Sequence, residues 1–217
     1  MNIEIFYHMF CADGCVERFV VTYNKIKKHG LLNVVTNIHV VMVGKQHAYY
    51  ATQLMALEKV RPHFKYNDTG EMDSIDTLHE FCQTAPESYI LYLHSKGATK
   101  QNNPNVKAWV DYMEYFLIEK YHLCLEELKN YDTVGVDYLP APMKHFSGNF
   151  WWSTSNYIKQ RYNFTESLNN SEEIKHPRWY CEFWLLDNKN VKIKTLHQSN
   201  MDLYVNEYKE TFYKTNL

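Results

Sequence analysis

The sequence contains no run of the roughly 18 continuous apolar residues that a membrane-spanning helix needs. Glycine is scarce, with 7 in 217 residues. Neither the GxGxxG of a dinucleotide fold nor the GxxxxGK[ST] of a P-loop occurs, which disfavours dehydrogenases and P-loop NTPases. There is no GxSxG elbow of an α/β-hydrolase and no HExxH of a zinc protease. No charge of either sign dominates: 23 basic residues face 25 acidic ones, which argues against disorder and against an electrostatic nucleic-acid binder. The five cysteines (Cys11, Cys15, Cys82, Cys124, Cys181) form no CxxC and no second pair for a metal, and read as reduced intracellular thiols. The opening MNIEIFYHMFCADG has neither a basic n-region nor a long apolar core, so no signal peptide is expected, and the protein is expected in the cytoplasm, or in a host's cytoplasm if viral. Three N-x-[ST] matches, at Asn67, Asn163 and Asn169, are then only polar loop positions.

What the chain has in abundance is aromatic residues, 16% of the total with 18 tyrosines. Its length suits one good-sized domain. IEIFYHMF (Ile3 to Phe10) is a short apolar run fit for a buried strand. Val16, Phe19, Val20, Tyr23 and Ile26 then recur at helical spacing, ending in a cationic turn and Gly30. NIHVVMVG (Asn37 to Gly44) reads as a strand covered on both faces. A helix over Ala51 to Val60 stopped near Pro62, a brief strand at HFKY, a helix over Met72 to Cys82 and the strand SYILYLHSKG follow. This alternation predicts an α/β fold with a mostly parallel sheet flanked by helices.

Asn103 and Pro104 cap and open the longest helix candidate, with Trp109, Tyr112, Met113, Phe116, Leu117, Cys124, Leu125 and Leu128 on one face. YDTVGVDY (Tyr131 to Tyr138) is a further strand. WYCEFWLL is ambiguous between helix and strand, and VKIKTL alternates like an edge strand. No repeat, low-complexity tract or linker interrupts the chain.

Ligands of open parallel sheets bind at the carboxyl ends of the strands. Three such ends carry chemistry: Tyr7-His8, the tetrapeptide His94-Ser95-Lys96-Gly97, and Asp137-Tyr138. The tetrapeptide offers an imidazole, a hydroxyl, an ammonium and a glycine, the groups wanted around a phosphate. Alone it is also an ordinary strand-to-turn exit. HFSGNFWWSTSNY (His145 to Tyr157) places a turn, two adjacent indoles and several hydroxyls together, as a sugar site would. On a strand, Trp151 and Trp152 point to opposite faces, so both belong to the core only if both faces are covered. Glu182 lies among large aromatics and needs a partner there, with Arg178 nearest in sequence.

IFYH, HGLLN, ILYLHSKG, AWVDYM, YDTVGV, HFSGNFWW and EFW run in this order from about residue 3 to 184. In them the chain resembles a group of small GT-A-type glycosyltransferases of bacteria and large algal viruses; LYLHSKG and HFSGNFWW carry most of the likeness. The resemblance implies a single Rossmann-like GT-A domain that moves sugar from a uridine-diphosphate donor to a glycan acceptor, as in building surface polysaccharide. It puts Tyr7 and His8 by the uridine, and His94, Ser95, Lys96 and Gly97 by the diphosphate. His145, Ser147, Gly148, Asn149, Trp151 and Trp152 fall on the sugar side, and Glu182 at the reacting carbon or the acceptor hydroxyl. Many such enzymes carry a DxD for a divalent cation where this chain has His94-Ser95-Lys96. Lys96 then supplies part of the charge, and a manganese or magnesium ion needs other ligands, with His197 and Asp137 as candidates. Front-face retention is the expected stereochemistry by analogy; in the inverting alternative Glu182 is the general base. A carbohydrate-binding module without catalysis and a glycoside hydrolase are the rival readings. Further domains of a longer chain remain compatible with all three.

Overall fold

The computed structural model describes residues 1–45, 47–65, 70–98, 103–171 and 176–214. Asn67, with the Tyr66 end of HFKY, lies outside them. A strand β1 (Asn2–Phe10) leads through α1 (Cys15–Lys28) and the short α2 (Leu31–Val34) to β2 (Asn37–Val43). Next come α3 (His47–Leu54), β3 (Val60–Lys65), α4 (Met72–Thr84) and β4 (Ser88–His94). The second half runs α5 (Pro104–Glu114), α6 (Tyr121–Glu127), β5 (Thr133–Gly135), β6 (Tyr138–Leu139), β7 (His145–Phe146) and β8 (Trp151–Thr154). It closes with α7 (Ser155–Lys159), α8 (Phe164–Asn170), α9 (Pro177–Phe183) and β9 (Ile193–Thr195).

Seven strands form one sheet in the order β3-β2-β1-β4-β8-β5-β9, and β6 pairs with β7 apart from it. Within the seven-stranded sheet pairing is parallel except where β8 runs against both β4 and β5. Two apolar cores cover the two faces. Ile5, Tyr7 and Met9 of β1 pack with α1 and α5 on one side. Phe6 packs with α4, α8 and α9 on the other. This explains why the inner strands read as nearly continuous apolar runs.

The sequence expectation for this fold holds, with local differences. Pro62 does not end a helix; it lies within β3, at the edge of the sheet, where a missing N–H costs no ladder bond on the open side. The helix before it is earlier and shorter than the apolar pattern suggests. Asn103 caps α5 as expected, its side chain accepting from Asn105 N and Val106 N. That long helix is not continuous: a π-helical turn over Tyr115–Glu119 interrupts it, with Lys120 N donating to Tyr115 O at 3.0 Å. The Leu117 carbonyl within the turn accepts the Trp152 indole N–H at 2.9 Å. WYCEFWLL resolves as helix through Phe183, and VKIKTL contributes the edge strand β9.

One buried charge joins the helices of the first face. Glu114 of α5 is fully buried and accepts from Arg18, from Thr22 Oγ1 at 2.7 Å and from Lys25 Nζ at 2.7 Å, all on α1. Removing one member of such a group leaves the others desolvated and unpaired, which is the costly half of the exchange. Glu114→Ala is expected to destabilise the fold by about 3 kcal/mol, read as a lower urea midpoint with unchanged slope. A loss under about 0.5 kcal/mol would show that Arg18 and Lys25 simply rehydrate.

Candidate functional site at the sheet's switch point

From β1 the chain steps outward to β2 and β3, then returns to place β4 on the other side of β1. The order therefore reverses between β1 and β4, the position where open α/β sheets leave a crevice beyond their carboxyl ends. His8 and His94 are the last register partners of that pairing. Beyond them Ser95 N donates to His8 O at 2.9 Å, and Ser95 Oγ accepts from Phe10 N at 3.2 Å. The tetrapeptide is thus stitched to the end of β1. Gly97 turns the chain with φ +84°, and a Cβ there would meet Val106 at 3.0 Å, so glycine is required twice over.

Both histidines are held neutral. Burial, opposed by the Glu71 carboxylate, lowers the His8 pKa to about 4, and its Nδ1 lies 2.7 Å from Ser74 Oγ. Burial and the nearby Lys96 charge lower His94 to about 3. His94 Nε2 lies 2.9 Å from the Gly148 carbonyl, which can only accept. Nε2 therefore carries the proton and Nδ1 is left as an acceptor. The Lys96 ammonium rests 3.8 Å above the Trp109 ring and 5.8 Å from the Tyr204 ring.

The Ser147-Gly148-Asn149 turn packs beside this edge. Gly148 and Asn149 both take positive φ, 88° and 55°. A Cβ at Gly148 would strike Met113 Sδ at 2.7 Å, while asparagine is among the few residues that tolerate the left-handed region. Buried Asn149 donates to Glu71 Oε1 at 2.6 Å and to Cys181 O at 3.2 Å, and accepts from the Trp151 indole at 2.9 Å. Through Cys181 it fixes α9, whose half-buried Glu182 projects next in sequence. Glu182 and Arg178 both act on Tyr204: burial first, then Glu182, raises its phenol pKa, and Arg178 opposes them. Among the described residues no ion pair joins Glu182 to Arg178.

The structure thus brings together His8, His94, Ser95, Lys96, Gly97, Ser147, Gly148, Asn149 and Glu182, and places the others elsewhere. Tyr7 does not border a ligand; it is 1% exposed and edge-on to Phe19 in the core under α1, where burial raises its pKa. Trp151 and Trp152 present no face to a sugar. They point to opposite covered faces, Trp151 stacked on Tyr92 at 4.8 Å and Trp152 fully buried against Leu117. His145 is buried, its Nδ1 donating to Met143 O at 2.8 Å and its ring edge-on to Phe183. Asp137 and His197 are neighbours through the Tyr112 hydroxyl, but both Asp137 oxygens already accept from Ser199. Among the described residues no three His, Cys, Asp or Glu side chains converge as a metal site. Asp137 and His197, with no third donor beside them among the described residues, are a poor cation site on their own.

Two residues here carried no sequence signal. Glu71 precedes α4 in an undistinguished loop, yet accepts from both Tyr92 Oη at 3.0 Å and Asn149. Tyr204 comes from the C-terminal segment, far from any strand.

The neutral His8 has a consequence for stability. Between its ordinary 6.5 and its folded value of about 4, the unfolded chain binds a proton that the folded chain refuses. The contribution is complete above 6.5 and is lost as pH falls through that window. The shift corresponds to about 3 kcal/mol. Urea unfolding at pH 7 and near pH 4.5 is expected to show a loss about 2 kcal/mol smaller in His8→Gln than in the unaltered protein; equal losses would remove His8 as the titrating group.

Among the described residues no helix is long and apolar enough to cross a membrane. No curated protein matches the sequence. Among solved structures, HddC from Yersinia pseudotuberculosis is similar over 90% of this chain and 90% of its own, at 10% identity and a TM-score of 0.52. A nucleotidyl transferase from Methanothermobacter thermautotroptrophicus aligns over 92% and 88%, at 12% identity and a TM-score of 0.48. The 4-diphosphocytidyl-2C-methyl-D-erythritol synthase of Anaerococcus prevotii aligns over 90% and 87%, at 12% identity and a TM-score of 0.47. At such identities the likeness to HddC is one of fold. The family is given by the sequence itself: residues 6–206 match one family model, and the chain belongs to the domain of unknown function DUF8361.

Proposed function

We propose that this protein transfers a sugar from a nucleotide-diphosphate donor, in the first instance a uridine-diphosphate sugar, to a glycan acceptor. One observation carries the reading. At the switch point the Lys96 turn lies beside a neutral imidazole, and Tyr204, 5.8 Å from the Lys96 ammonium, also feels the half-buried carboxylate of Glu182. The resemblance to GT-A-type glycosyltransferases in LYLHSKG and HFSGNFWW supports it independently.

In this reading Lys96 stabilises the charge that builds on the departing diphosphate, and the positive φ of Gly97 leaves its backbone open to a phosphate oxygen. A divalent cation, manganese or magnesium, would arrive with the diphosphate and be held chiefly by its oxygens, as magnesium commonly is. Glu182 orients the acceptor hydroxyl or, in an inverting reaction, removes its proton. Front-face retention is the preferred course. Among the described residues the other carboxylates near Cys181 are engaged, Glu71 by Tyr92 and Asn149 and Asp76 by Phe164 N, which speaks against the paired carboxylates of a hydrolase.

Calorimetric titration with uridine, guanosine and cytidine diphosphates, each with and without manganese, tests the reading. Selective binding of the uridine compound is expected. Lys96→Ala is expected to weaken it about tenfold, about 1.4 kcal/mol, and to slow turnover of the matching nucleotide sugar further. A folded protein that binds no nucleotide would leave a carbohydrate-binding module as the better reading. Nucleotide binding untouched by Lys96→Ala would remove that residue from the diphosphate.

A further inference from the structure

Between α1 and α5 the chain leaves a cavity of about 340 Å³, within the roughly 300–1,000 Å³ of small-molecule sites. Lys96 and Gly97 line one part of it, and the two helices supply the rest. Val21 of α1 with Val106 and Val110 of α5 give it an aliphatic wall. Among the described residues no aromatic ring lines it. Its charges do not cancel. Lys25 Nζ lies 2.6 Å from Asp111 Oδ1 and 2.7 Å from Glu114 Oε2. Lys107 Nζ takes the other Asp111 oxygen at 2.6 Å, and Arg18 takes the other oxygen of Glu114. Three cations are thus spread over two carboxylates. Lys96 adds a fourth, against one further acid in the lining, the exposed Glu17. Arg18 shows the same shortage of acceptors at the scale of one atom. Its Nε is buried and has no acceptor among the described residues. A buried N–H left in that state is costly, and an oxygen placed beside it removes the cost.

We infer that this cleft binds a small amphiphile: an oxyanion, phosphate or carboxylate, held by Arg18 and Lys96, with an aliphatic chain along Val21, Val106 and Val110. A guanidinium with an open donor and an ammonium beside it select a group with several acceptor oxygens and negative charge. The three valines select hydrocarbon, because burying a chain against them removes apolar surface of both from water. A nucleobase or a pyranose fits less well, since each gains from an aromatic face and the lining offers none. Water can satisfy the Arg18 Nε, but it leaves the charge excess and the apolar wall unanswered. The inference uses only the cavity and its lining, and it does not depend on the sugar-transfer reading, with which it shares Lys96 and Gly97.

Octyl phosphate, octanoate, 1-octanol and inorganic phosphate, titrated calorimetrically into the whole protein, test it. At least one octyl anion is expected to bind about tenfold tighter than either 1-octanol or inorganic phosphate, and the tighter of the two anions identifies the head group. Val21→Glu sets an acid in the aliphatic wall and is expected to weaken that anion about tenfold. Val21 is 47% exposed, so the variant leaves the core intact. Arg18→Lys keeps a cation for Glu114, removes the Nε and is expected to weaken the same anion. 1-Octanol binding as tightly as the anions would overturn the oxyanion, and inorganic phosphate binding as tightly as octyl phosphate would overturn the chain. Binding of the octyl anions untouched by Val21→Glu would put them outside the cleft and overturn the inference, as would no binding of any probe. Neither result bears on uridine-diphosphate binding, which is titrated separately on the same sample.

Discussion

The parallel pairing of β1 with β4 is the constraint on which the rest depends. It brings together two strands that are far apart in sequence, and its register ends with His8 opposite His94. Once that register is fixed, the Ser95 bonds to β1 follow, Lys96 is delivered over Trp109, and Gly148 finds its acceptor role beside His94. A slip of one residue would exchange the two faces of β4 and bury the wrong set in both cores. Because both faces are covered, each wrong register is penalised twice, and the site inherits the precision of the sheet.

The architecture was legible because buried parallel strands and amphipathic helices have different periods, and β1 to β4 display them cleanly. Pro62 misled because proline is read as a helix stop, whereas an edge strand accepts it equally well. The site was legible where backbone geometry demanded special residues. Gly97 and the Gly148-Asn149 pair mark true left-handed turns. It was illegible where aromatic residues were concerned. Trp151 and Trp152 invite a sugar-binding reading, yet antiparallel β8 lies between two covered faces and consumes both indoles in the core. The exposed indole, Trp179, is in a helix whose sequence gave no clear period. Tyr204 had no signal at all, since only the tertiary fold brings the C-terminal segment over Lys96.

Buried ionisable groups are handled in two different ways on this scaffold. Between α1 and α5, charge is kept and matched: Glu114 meets Arg18 and Lys25. At the switch point, charge is refused: desolvation holds His8 and His94 neutral. The first arrangement joins helices and needs nothing further. The second leaves a hydrogen-bonding nitrogen on His94 beside the Lys96 ammonium that rests on Trp109.

The Trp152 indole bonded to Leu117 has a meaning beyond its hydrogen bond. Apolar surfaces are nearly indifferent to sliding by a fraction of an ångström, but a buried N–H without its acceptor costs about 1–3 kcal/mol. In an interface otherwise made of hydrocarbon and rings, this bond works as a dowel between the sheet and the interrupted helix of α5 and α6. The π turn presents the socket, and β8 supplies the peg. Three residues upstream along the same chain is Asn149. Aligning β8 against the π turn thus also aligns the turn that closes on His94, so a joint deep in the core sets the tolerance of a site at the surface.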